Sequence, residues 1–139
     1  MPRKKPYAPK LFESTGLSSD TSANIYMSML TSYAWHKLTK NQQVLYLYCK
    51  AQYYAQKDKD KPKPKIAQLS AEELRRCFTM NKSKWCNLYH LYNEGNARNF
   101  VKDMRALVEW GFIKVIEEGK TTRTKNIYML YDGWRSKHE

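Results

Sequence analysis

Residues 96–131 read NARNFVKDMRALVEWGFIKVIEEGKTTRTKNIYMLY, and the order of patterns inside them decides the fold. From Gly95 to Trp110 the apolar residues Phe100, Met104, Leu107 and Val108 fall on one side of a helix, with Ala97 and Val101 near them. The opposite side carries Arg98, Asn99, Lys102, Arg105 and Glu109. Gly111 ends the helix, because a residue without Cβ turns the chain cheaply at a helix C-terminus. Phe112 to Ile116 is rich in β-branched residues and reads as a strand, and Asn126 to Tyr131 returns beside it. Between them runs a tip with Lys120, Arg123 and Lys125 next to Thr121, Thr122 and Thr124.

A helix leading straight into a hairpin with a basic tip is the arrangement of a winged helix-turn-helix, and the upstream sequence fits that frame. Thr39 is an N-cap for a long helix from Lys40 to about Gln56, with Gln42 at the capping-box position. Val44, Tyr48, Ala51 and Ala55 share a face of it, with Leu45 and Leu47 as shoulders. Tyr46 and Tyr53 lie on the other side, so this helix is expected to have protein on both sides. The cover is the segment before it: Ile25 to Leu30 as a strand or short apolar clasp, then one helical turn with Tyr33, Ala34, Trp35 and Leu38. Residues 57–66 alternate Lys with Asp or Pro and read as a mobile, solvated loop. Ser70-Ala71-Glu72-Glu73 is a capping box that opens a short helix through Arg76. Phe78 to Met80 reads as a lone strand, Asn81 as the cap of a helix to Leu88 that contains Trp85, and Tyr89 to Glu94 as a turn.

The expected fold is α+β and mostly α: a basic, flexible arm over residues 1–24, then one winged-helix domain over 25–139. The chain has 139 residues, 25 Lys plus Arg against 13 Asp plus Glu, and a formal net charge of +12. Such an excess attracts polyanions and speeds encounter with them. A long helix with Arg, Lys and Asn on one face can read base edges in a groove or hold phosphates. The residues expected to do so are Asn96, Arg98, Asn99, Lys102 and Arg105. Lys120, Thr121, Thr122, Arg123 and Lys125 are expected to grip backbone from the tip, and Arg3, Lys4 and Lys5 to enter a minor groove from the arm.

Other chemistries find little support. Cys49, Cys77 and Cys86 lack C-x-x-C spacing and are odd in number, against a disulfide framework or zinc site. His36, His90 and His138 form no metal-binding pattern, and no Gly-rich phosphate loop or paired carboxylates accompany a nucleophile. No enzyme, cofactor or metal is expected. No apolar run has membrane-spanning length, and Met1-Pro2-Arg3-Lys4-Lys5-Pro6 lacks the apolar core of a signal peptide. The expected setting is cytoplasmic.

The runs Gly16 to Asn24, Leu38 to Gln42 and Phe100 to Met104 carry a resemblance, as does Gly111-Phe112-Ile113 followed by Gly119 to Tyr128. Together they resemble TraN-like winged-helix accessory proteins of Gram-positive conjugative plasmids and transposons. The resemblance implies sequence-specific binding of double-stranded DNA and a role as accessory or regulator of transfer, with other proteins of a transfer complex as partners. The alternatives are a plasmid replication initiator, a transcriptional repressor, or a winged-helix module that binds protein.

Overall fold

The computed structural model describes residues 10–56, 58–65, 67–119 and 126–138. Two short helices, α1 (Met27–Leu30) and α2 (Tyr33–Lys37), precede the long α3 (Lys40–Ala55). After a 3-10 turn at Asp58–Asp60 come α4 (Ala71–Arg75) and strand β1 (Cys77–Phe78). A π-helical turn at Ser83–Leu88 and a 3-10 turn at Glu94–Asn96 lead into α5 (Ala97–Glu109). Strands β2 (Ile113–Glu117) and β3 (Ile127–Leu130) follow, and a 3-10 turn at Gly133–Ser136 comes last. The fold is α+β with a small antiparallel sheet in the order β1-β3-β2. Among the described residues no helix is long and apolar enough to cross a membrane.

Both expected capping boxes form. The Thr39 hydroxyl accepts from Gln42 N while Thr39 N donates to Gln42 Oε1, and Ser70 and Glu73 repeat the exchange. These bonds satisfy amide donors that a helix start leaves orphaned.

At the centre of the core is Phe112, fully buried, between Trp35 at 5.7 Å, Tyr46 at 5.2 Å and Trp134 stacked at 6.2 Å. The segment before α3 does cover it: Ala34, Trp35 and Leu38 are buried, and Trp35 meets Tyr46 edge-on. Residues 25–30 do so with a helical turn at Met27–Leu30, not a strand.

Three other expectations are corrected. The buried stripe of α3 is Gln42, Leu45, Tyr46, Cys49 and Gln52, whereas Val44 and Leu47 are exposed. Two glutamines belong to that stripe, so apolar periodicity alone chose a face rotated away from it. The first strand is Cys77–Phe78, ahead of the expected Phe78 to Met80, because Cys77 and Phe78 pair with Met129 and Tyr128. Asn81 does not cap the next turn through its side chain; its Oδ1 accepts from Ser83 Oγ at 2.6 Å.

The Lys-rich stretch is more tightly bound in than its composition suggests. Lys61 is buried, and its ammonium donates to the carbonyls of Gln52 at 2.9 Å and Tyr53 at 3.1 Å. The Gln52 carbonyl also accepts from Gln56 N at 3.2 Å, and carbonyls in the last turn of a helix carry the negative end of its dipole, so a cation there is favourable. Further along, Lys65 N donates to the buried carboxylate of Glu117 on β2 at 2.7 Å.

The cysteines give a simple check of this packing. Cys49 and Cys77 are fully buried, and burial raises both thiols above their ordinary range, Cys77 to about 11. Thiolate is the reactive form. A disulfide reagent at pH 8 is therefore expected to modify half-buried Cys86 rapidly and the other two only on unfolding. Three equally fast thiols in the native protein would contradict the packing of α3 and β1.

Candidate nucleic-acid interface

The outward face of α5 is built by what its inward face grips. Phe100 stacks on Trp85 of the π-helical turn at 5.1 Å, and Tyr92 closes edge-on against both rings. Met104 and Leu107 continue this buried side. Asp103 is also buried; its Oδ1 accepts from Gln42 Nε2 at 3.2 Å and its Oδ2 from the Tyr92 hydroxyl at 2.6 Å. Gln42 uses its other amide atom to cap Thr39 N. One side chain thus ties the start of α3 to the middle of α5, fixing the rotation of α5 about its axis. Tyr92 keeps its proton: burial first, and the bond to Asp103 second, hold its hydroxyl above the ordinary tyrosine range.

With the inner side fixed, Arg98, Asn99, Lys102 and Arg105 are all exposed on α5, and Asn96 is exposed just before it. They divide between two flanks. Asn96, Asn99 and Lys102 border a depression shared with Asn41 of α3 and Asn93 of the preceding turn. Arg98, Lys102 and Arg105 border a second one, with Ala97, Val101 and Ala106. Lys102 stands between the two. Arg98, Lys102 and Arg105 share the exposed side with one carboxylate, Glu109.

The apolar side is narrower than the helical pattern suggests. Val101 is 45% exposed and Val108 37%, and Ala97 is exposed too, so these join the outer surface. The helix begins at Ala97, with Gly95 inside the preceding 3-10 turn. Asp103 explains the difference for α5: the interior is centred between Phe100, Asp103, Met104 and Leu107, not on an all-apolar stripe.

Sequence reasoning missed Asn41, Asn93 and Asp103, and gave Gln42 only its capping role. For Asp103 a signal was present, since it lies three residues after Phe100 and next to Met104. Asn41 and Asn93 had none, because only the fold brings them beside α5.

The strands of the hairpin form with the pairs Ile113 with Leu130 and Val115 with Tyr128, and a bulge follows Val115. Gly119 N donates to Asn126 Oδ1 at 2.6 Å, closing the strands toward their far end. Lys120, Thr121, Thr122, Arg123 and Lys125 lie outside the described residues, as do Arg3, Lys4 and Lys5. No protein family, curated protein or solved structure matches the chain.

Proposed function

We propose that this chain is a winged-helix protein that binds double-stranded DNA without catalysis. In this reading α5 enters a major groove and the 120–125 segment contacts adjacent backbone. The observation that carries it is the exposed face of α5, which sets three cations and Asn99 on a helix whose rotation is fixed from inside, with Asn96 just before it. Long donors on a rigid helix suit base edges and phosphates together. The sheet order β1-β3-β2, with α5 directly before β2, agrees with this frame. Binding of single-stranded RNA on the sheet finds less support, since the strand rings Phe78 and Tyr128 are buried. The narrower role, accessory or regulator of conjugative transfer in the cytoplasm, rests on the residue runs quoted above.

Footprinting and mobility shift on DNA of the protein's own element test this reading. Arg98→Ala or Arg105→Ala is expected to cost roughly 1–3 kcal/mol at a specific site if the contact is to a base. Affinity is expected to fall with salt at a slope of roughly 0.9 per phosphate contacted. Duplex binding that ignores both the substitutions and the salt would remove the proposal.

A second reading has one observation in its favour. Ala97, Val101 and Val108 form an exposed apolar edge along α5, which suits a protein partner. Val101→Asp with unchanged DNA affinity but lost pull-down of a partner would favour it.

A further inference from the structure

A separate cleft of about 720 Å³ opens between α1, α2, α3, the end of β3 and the last 3-10 turn. Its size falls within the range of small-ligand sites. Rings from Tyr26, Tyr33, Tyr131 and Trp134 line it. So do four cations, Lys50, Arg76, Arg135 and Lys137, against one carboxylate, Asp132, which stands 4.0 Å from Arg135.

Two of the cations sit in the wall. Arg76 is half-buried, and its Nε is enclosed with no hydrogen-bond partner among the described residues. One donor of this guanidinium is already cut off from water and unbonded, which is costly, so an anion beside the part of Arg76 that borders the cleft is its natural complement. Lys50 is also half-buried, 6.0 Å from the centre of the Tyr26 ring, and loss of water lowers its ammonium below the usual lysine range. An arriving anion would reverse that loss.

We infer that this cleft binds a nucleotide, with the base against the tyrosine and tryptophan rings and the phosphate on Arg76 and Lys50. Aromatic faces accept any planar base, and a guanidinium can hold two phosphate oxygens at once. A purely apolar ligand would leave Arg76 unpaired, and a bare anion would leave the rings unused. The site stands apart from the α5 face and does not depend on duplex binding there. The nucleotide is either free or a unit of a single strand.

Calorimetric titration of the full chain with adenosine monophosphate, inorganic phosphate, adenosine, phosphotyrosine and a thymidine pentanucleotide tests this. Saturable binding of the monophosphate, or of the pentanucleotide if the source is a strand, is expected, with phosphate and adenosine each far weaker. Arg76→Ala is expected to weaken it by roughly tenfold or more, as for loss of a charge-assisted bond. Lys50→Gln serves as the second variant if Arg76→Ala melts early. Duplex affinity should stay as in the wild type in both. Failure of every nucleotide probe, adenosine binding as tightly as its monophosphate, or preference for phosphotyrosine would each overturn the assignment. Equal loss of duplex binding in the two variants would make the cleft part of the duplex surface and overturn a separate site.

Discussion

Gly111→Ala is expected to lower stability by roughly 3–5 kcal/mol, among the largest effects a single methyl can have. Two causes act together. Gly111 has φ +84°, where an L side chain costs about 1–2 kcal/mol. A Cβ there would also lie 2.5 Å from both Gly133 C and Trp134 N, which are backbone atoms. Relief requires moving the last 3-10 turn, which is bonded to this site through Trp134 N and Gly111 O at 3.1 Å. That movement would pull Trp134 from its stack on Phe112. Gly95→Ala is the control, since nothing lies within 4 Å of a Cβ at that position. Thermal or urea unfolding should show a large loss for Gly111→Ala and little change for Gly95→Ala. Similar melting of the two variants would mean that the corner between α5 and β2 is not built as described.

Asp103→Ala is the second large expected effect, about 2–4 kcal/mol. Removing the carboxylate leaves the Gln42 amide and Tyr92 hydroxyl without their acceptor, and buried donors without partners cost about 1–3 kcal/mol each. A double-mutant cycle with Tyr92→Phe should give a coupling of about 1 kcal/mol or more. Additive losses would show that the bond contributes nothing specific. The same linkage has a pH sign. The folded Tyr92 holds its proton more tightly than the unfolded chain, whose ordinary tyrosine value is 10.0. Its contribution is therefore complete below about pH 10 and declines as pH rises further. Asp103→Ala should lessen that alkaline decline only in part, since burial is the larger cause, whereas Tyr92→Phe should remove the tyrosine's share whole; an alkaline limb unchanged in Tyr92→Phe would contradict the placement of Tyr92.

The sequence is legible where the physics is local. Thr39 with Gln42 and Ser70 with Glu73 each carry a capping box within four residues, and both form as written. The strands around 113 and 127 follow from β-branched and aromatic content, and the turn at Gly111 from glycine's tolerance of positive φ. It is not legible where a polar residue is buried for a distant reason. Gln42 is inside because Asp103 is there to receive its amide, 61 residues away. Lys61 is inside because the carbonyls of Gln52 and Tyr53 turn toward it. Composition marks such residues as solvated, and only the completed fold supplies their partners. For the interface the exposed residues of α5 were legible from periodicity, while Asn41 and Asn93 were not, since they reach that surface from other segments.

The place of β3 in the sheet has a consequence for how the protein is made. It is the last of the three described strands yet lies in the middle, bonded to β1 on one side and β2 on the other. A ribosome releases β1 and β2 first, and neither borders the other in the finished sheet. While synthesis proceeds they wait as open edges, and unpaired edges are where nascent chains associate wrongly. Residues 127–130 therefore act as a closing key: the sheet is assembled in one step once they are made, not strand by strand.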